Sequence, residues 1–308
     1  MTAVPESTTR EWHRDQTYVV RTLPGADGFR ACLRDLSREP AEYLWMHLRT
    51  SAPRAASRAG IDRLARTLPP LGVDVRLPSR SFDLSLWGGI PRSGLLFDIL
   101  FGNEMPGMPT LTAMSTRLGR ALGRLHQVRD GIEDVPGLPG PPWAHQWGDR
   151  DAYARHADVI RAGLSAGLSV EPASWTRRSS LVHGRPGAGD IVPGEPCTVL
   201  GWEEAGIGNP VADLGCLIGD YAEAIAIASE EQAGRLREAI GALTDAYRAA
   251  HPEPADAPGG DEVMGWVVER VANHLALSAV FRADEASTYR LAKRVQGVLP
   301  SVKGAVDG

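Results

Sequence analysis

Lysine is nearly missing from this chain. Of its 33 basic residues only Lys293 and Lys303 are lysines, so the first 290 positions hold none. Any anion-holding role there falls to arginine, whose planar, forked guanidinium is not equivalent to a lysine ammonium. Abundant Ala, Gly, Arg and Pro beside scarce lysine also match a GC-rich coding bias, which explains the shortage without any function. Cysteine is scarce too. Cys32, Cys197 and Cys216 are odd in number and far apart. That spacing argues against disulfides or a zinc site and suits a reducing cytoplasm. No apolar run approaches the ~18 residues of a membrane span, and the N-terminal stretch MTAVPESTTREWHRD has no hydrophobic centre to read as a signal peptide. The net charge of −5 argues against a nucleic-acid partner. A G-x-G-x-x-G phosphate loop, a Walker loop, a G-x-S-x-G elbow, H-E-x-x-H, metal-spaced Cys/His clusters and internal repeats are all missing as well.

What is present is an ordinary globular composition, 43% hydrophobic and 23% charged over 308 residues. That length suits one large domain or two lobes. Thr17–Arg21 and Phe29–Leu36 read as strands around a Gly25–Gly28 turn. Pro40–Arg49 reads as a helix, with Tyr43, Leu44, His47 and Leu48 on one face. Ser51–Arg66 carries Arg54, Arg58, Arg63 and Arg66, either a solvated helix face or an edge for an acidic peptide. Val73–Leu77 and Phe82–Leu86 read as edge strands, followed by a turn at Trp87-Gly88-Gly89. Leu95–Phe101 reads as a buried strand and Gly102–Pro109 as a linker. Thr112–Val128 has Met114, Leu118, Ala121, Leu122 and Leu125 at helical spacing, and His126 near its end suits a core or capping position. Asp130–Pro142 is a second linker, and Asp151–Ala166 a helix. Further on, Ser229 and Gln232 form a capping box opening a helix whose Leu236, Ile240, Leu243 and Tyr247 share a face. A linker at His251–Gly260 precedes a last long helix from Asp261, with Val263, Val267, Val271 and Leu275 inward. The tail from about Leu299 reads as disordered.

The chain is organised around Ser179–Asp220, which reads SSLVHGRPGAGDIVPGEPCTVLGWEEAGIGNPVADLGCLIGD. Two apolar runs, Ser180–His183 and Cys197–Trp202, flank a Gly- and Pro-rich loop, and a helix begins near Val211. This stretch resembles the aminoglycoside phosphotransferase and choline kinase family of the protein-kinase-like superfamily. The family pattern is H-G-D-x-x-x-x-N, then a strand ending I-D-W-E, then D-P-x-x-D-L. His183, Gly184, Ile191, Trp202, Glu203, Pro210, Asp213 and Leu214 fall in step with it. The resemblance implies an α+β, two-lobe, protein-kinase-like fold. Residues 1–101 would form a reduced β N-lobe, 102–109 the lobe linker, and 110–308 a helical C-lobe holding the loop 183–190.

The departures from that pattern carry the functional reading. The family's catalytic base falls on Arg185, its metal-binding asparagine on Asp190 and its second metal aspartate on Gly201. A guanidinium cannot act as a base, and glycine has no side chain for a metal. Asp190 alone of the three can still hold a cation, and Arg185, Asp190 and Glu203 are the candidate catalytic groups. By the same resemblance His183 and Asp213 hold the loop. An active kinase places a lysine on an early strand to hold the nucleotide phosphates; Arg21, Arg30 or Arg34 can stand in, with Arg34 the candidate, and Glu104 either meets a ribose or is an ordinary polar loop residue. Whether ATP and Mg²⁺ are bound at all stays open.

The pieces HGRPGAGDIVP and ADLGCLIGDYAE are also similar to a divergent branch, the kinase-like proteins of class V lanthipeptide and thioamitide maturation. That likeness implies a precursor peptide as partner, with Arg54, Arg58, Arg63 and Arg66 taking an acidic leader. It further implies Ser/Thr phosphorylation ahead of elimination to dehydroamino acids by a lyase-like partner. A pseudokinase binding module of another pathway and an aminoglycoside-type small-molecule phosphotransferase are the alternatives.

Overall fold

A computed structural model describes residues 18–25, 28–35, 42–49, 64, 68–81, 84–90, 94–102, 108–133, 135–141, 150–176, 179–251, 257–282 and 285–308. The N-terminal part is a five-stranded antiparallel sheet. Its strands are β1 (Tyr18–Gly25), β2 (Gly28–Asp35), β3 (Glu42–Arg49), β5 (Ser79–Ser81) and β6 (Leu84–Ile90), in the order β1-β2-β3-β6-β5. Between them in sequence lies the two-residue strand β4 (Asp74–Val75), which leaves this sheet altogether.

Two readings from the sequence are corrected here. Residues 42–49 are strand β3, not part of a helix, paired to β2 on one side and β6 on the other. A short run with Tyr43, Leu44, His47 and Leu48 fits either period, and the aromatic Tyr43 and Trp45 favour a strand once both neighbours are there to pair. Leu84–Ile90 is an internal strand rather than an edge. Trp87-Gly88-Gly89 continues it and does not turn, with Trp87 opposite Trp45.

Residues 96–101 are α1 (Leu96–Phe101), a helix where a buried strand was expected. The Asp98 carboxylate accepts the Leu95 N–H at 2.7 Å, which caps the first turn. Leu96 and Leu100 face inward while Phe97 is 42% exposed. An apolar run of that length cannot tell a buried strand from a short helix by composition.

The C-terminal part is helical. It comprises α2 (Met108–Leu125), α3 (Arg150–Ser165), α4 (Pro210–Ile225), α5 (Glu230–Ala249), α6 (Gly260–Arg282) and α7 (Glu285–Asp307). Every residue of α4 is buried, its three carboxylates Asp213, Asp220 and Glu223 included. Ser229 caps α5 and Gln232 answers it, and Leu236, Ile240, Leu243 and Tyr247 are all buried. The tail after Leu299 is ordered helix, against expectation. Val302 and Val306 are buried, and Lys303 pairs with Asp261 at 2.6 Å and Asp307 at 2.9 Å.

Four short strands join the two parts. β7 (Ser180–Val182) pairs antiparallel with β10 (Gly206–Gly208). β8 (Ile191–Val192) and β9 (Thr198–Val199) form a hairpin, and β4 pairs parallel to β9. Trp45, Trp87, Ile90 and Leu95 pack with Val192 and Leu200, so the large sheet sits directly on this hairpin. Among the described residues no helix is long and apolar enough to cross a membrane.

Candidate functional site

The site is the loop between β7 and β8 together with the turn after β9. Its back wall is α4. Asn209 caps that helix by accepting the Val211 N–H at 2.9 Å, and Pro210 at the first helical position suits the fixed φ needed there. This start places Asp213 one turn in, buried beneath the loop. Its carboxylate accepts the backbone N–H of His183 at 2.7 Å and of Gly184 at 2.9 Å. His126 from the end of α2 adds a contact at 3.2 Å, and its other ring nitrogen lies 2.9 Å from the Tyr247 hydroxyl. The His183 ring nitrogen Nε2 is 2.7 Å from the Leu200 carbonyl, and Nδ1 faces the Arg185 N–H at 3.3 Å. A neutral ring donating from Nε2 and accepting at Nδ1 satisfies both. The same ring packs edge-on against Trp202, centroids 4.6 Å apart.

The far end of the loop is a 3₁₀ turn at Ala188–Asp190. Asp190 donates its N–H to Gly187 and accepts the Leu200 N–H at 2.7 Å on its carbonyl, so the loop is bolted to the strand that leads into Gly201. Gly201 has φ +81°, a left-handed conformation that side chains other than glycine rarely adopt. A Cβ there would meet the Asp190 carboxyl group at 3.0 Å. The buried Asp190 carboxylate therefore fills the space where a second metal carboxylate would begin.

At the mouth of the loop the Arg185 guanidinium lies 3.4 Å from the Glu204 carboxylate, with both side chains largely buried. Glu203 and Glu204 belong to a second 3₁₀ turn, Trp202–Glu204, and Glu203 is fully buried. Arg185, Asp190, Glu203, His183 and Asp213 thus share one region. Arg34 lies on β2 opposite Val19 and Tyr43, and its side chain is outside the described ones. Arg54, Arg58, Arg63, Arg66 and Glu104 lie outside the described residues. Strand β3, third in the sheet, carries no lysine.

The carboxylate paired with Arg185 is Glu204, next to the candidate Glu203. One group at the site escaped the sequence reading. Asp220, two turns beyond Asp213 on α4, accepts the Ala188 N–H at 2.7 Å and a bond from Arg270 at 2.9 Å. The available signal was the i, i+7 spacing of two aspartates on an otherwise apolar helix, which puts both on one face. Burial pushes the Asp220 carboxyl up from its ordinary pKa, with Arg270 opposing. Nearby, Glu223 lies 2.7 Å from His274. Burial alone would raise the Glu223 carboxyl, but His274 and Arg270 outweigh it and hold it below the ordinary range.

Phosphoryl transfer of the kinase type needs a base and carboxylate or amide ligands for Mg²⁺. Position 185 is cationic and paired, and position 201 has no side chain and a left-handed backbone, with the Asp190 carboxyl group 3.0 Å from where a Cβ would stand. Among the described residues no three His, Cys, Asp or Glu side chains gather as a metal-binding group. The residues present do not fit the standard Mg·ATP donor set.

Comparison with known proteins places this geometry. The phosphotransferase enzyme family model matches residues 10–255. No curated protein matches the chain. An amicoumacin kinase solved with AMP-PNP, Ca²⁺ and Ami is similar in fold, with TM-score 0.55 and 16% identity over 93% of this chain and 90% of that one. A microcompartment-associated aminopropanol kinase is similar at TM-score 0.54 and 14% identity, over 96% of each chain. At such identities the likeness concerns the fold alone, a kinase-like α+β architecture. The family match spans most of the chain, and the chain belongs to the phosphotransferase enzyme family.

Proposed function

We propose that this chain is a kinase-fold protein of ribosomal peptide maturation. It binds a precursor peptide and supports Ser/Thr phosphorylation ahead of elimination to dehydroamino acids, with a lyase-like partner completing the reaction. The observation that carries this reading is the Arg185–Glu204 pair at the loop mouth. A guanidinium offers a fork of donors suited to a phosphomonoester or carboxylate. A phosphorylated side chain of a bound peptide could exchange with Glu204 for that fork, a use that needs neither a base at 185 nor a metal at 201. The segments HGRPGAGDIVP and ADLGCLIGDYAE support the peptide-maturation branch. The leader would run along the outer strand β1 or the segment bearing Arg54, Arg58, Arg63 and Arg66, and the setting would be cytoplasmic.

One observation favours a second reading. The Asp190 carboxylate packed against Gly201 suits a pseudokinase that docks a peptide or an enzyme without turnover. A third reading, small-molecule phosphorylation, draws on the family and on the amino-alcohol and antibiotic kinases of similar fold.

Co-expression with candidate short precursor peptides drawn from the gene's neighbourhood, followed by mass spectrometry of the peptide, separates the three. Gain of phosphate mass, or loss of water mass when the lyase is added, supports the proposal. An unmodified peptide that copurifies with the chain indicates the scaffold. An unmodified, unbound peptide together with phosphorylation of an amino alcohol indicates the third.

A further inference from the structure

The loop that carries Arg185 and Asp190 is tied to α4 at two points. Asp213 takes its entrance, at His183 and Gly184. The second tie is at the other end, where the Asp220 carboxylate accepts the Ala188 N–H at 2.7 Å with one oxygen and Arg270 at 2.9 Å with the other. The fit is close on every side. A Cβ at Gly187 would come within 3.2 Å of that same Asp220 oxygen. A Cβ at Gly219 would meet the Arg270 stem at 2.8 Å, and one at Gly215 would meet the Trp266 side chain at 2.4 Å. The two glycines of the DLGCLIGD segment therefore let α6 lie against α4. That closeness is what brings the Arg270 guanidinium onto Asp220.

We propose that Asp220, clamped by Arg270, is a positioning residue that sets the far half of the site loop, Pro186–Asp190. Through the 3₁₀ turn it fixes where the Asp190 carboxylate stands against Gly201. The chain of contacts is continuous. Asp220 holds Ala188, the turn from Gly187 closes onto Asp190, and the Asp190 carbonyl takes the Leu200 N–H just before Gly201. A buried carboxylate facing a single backbone N–H would be costly without a counter-charge. Arg270 supplies that charge from a different helix, so the loop's shape depends on how α4 and α6 pack. Glu223 and His274 pair at 2.7 Å at the outer end of the same cluster. This inference rests on the loop geometry and does not depend on the peptide reading.

Amide hydrogen exchange on the full chain tests it, read on peptides spanning 186–192 and on control peptides from α5 and α7. In Asp220→Ala the loop peptides should exchange about ten- to hundredfold faster, the equivalent of one charge-assisted hydrogen bond. The control peptides should follow only the change in global stability. Asp220→Asn keeps one acceptor oxygen and serves if the alanine variant does not fold; its loop protection should fall between wild type and Asp220→Ala. Arg270→Met, which keeps the stem, should reproduce the loop effect. Loop exchange that is unchanged, or that rises only in step with the controls in Asp220→Asn and Arg270→Met, would overturn the proposal.

Discussion

The two faces of the site loop differ in kind. Behind it stand two buried groups, Asp213 with His126 and Tyr247 and Asp220 with Arg270, whose carboxylates accept backbone N–H groups of the loop. In front of it stand Arg185, Glu204, Asp190 and Gly201, where the family pattern calls for a base and two metal ligands. The back keeps the loop in a kinase-like shape. At the front, arginine stands at 185 and glycine at 201. A loop can thus keep its backbone under one set of constraints while its reactive positions follow another, because the N–H groups that fix the backbone point away from the cleft.

The comparison breaks most visibly from behind. Asp213→Ala leaves the N–H groups of His183 and Gly184 and the ring of His126 without their shared acceptor in a buried site. The expected loss is about 3–4 kcal/mol, read from the urea midpoint at unchanged m-value. A loss under about 1 kcal/mol would mean the network does not hold the loop.

Gly201→Ala probes the front. Left-handed backbone and the 3.0 Å approach to Asp190 together should cost about 1–3 kcal/mol. In an Asp190→Ala background the 3.0 Å contacts disappear and only the 3.3 Å approach of the residue 190 Cβ is left, so about 1 kcal/mol should remain, chiefly from the backbone. Additive costs in the two backgrounds would show that Asp190 does not occupy that space.

The outer end of the cluster has a pH signature. The Glu223 carboxyl is held below its ordinary pKa in the folded chain, so the unfolded chain binds the proton more readily. Its contribution is therefore complete above the ordinary value of about 4.3 and is lost as pH falls through the folded value. The stability margin of wild type over Glu223→Gln should close as pH drops below about 4. A margin that holds constant to pH 3 would remove Glu223 from the account.

Arg185→Ala should have the smallest effect on stability, about 1 kcal/mol, since its pairing with Glu204 is long at 3.4 Å although both side chains are largely buried. A calorimetric melt would check it, and a loss above about 2 kcal/mol would make Arg185 structural rather than a ligand group.

Much of the back of the site was legible in the sequence. The apolar run at 180–183, the Gly-rich loop and a helix start near Val211 follow from short-range patterns, and the loop-holding Asp213 from the family resemblance. The front was legible as substitutions, but its contacts were not. That Glu204 meets Arg185, and that Asp190 fills the Gly201 space, depends on how two 3₁₀ turns face each other. No periodicity encodes that. Asp220 was hidden because its partner Arg270 lies fifty residues away on another helix. The sheet was the least legible part. β3 and α1 are short apolar segments whose type is decided by pairing partners and by a single cap at Asp98, not by propensity.

The central claim is that a retained loop shape carries replaced chemistry. Its most direct test is calorimetric titration of the full chain with ATP, with and without Mg²⁺. Loss of the phosphate lysine and of the ligand at 201 removes two charge-assisted contacts. That predicts affinity weaker by about 10²- to 10⁴-fold than a kinase with both, and little dependence on Mg²⁺. Micromolar binding that requires Mg²⁺ and disappears in Asp190→Ala would contradict it, showing a working metal–nucleotide site built around Asp190.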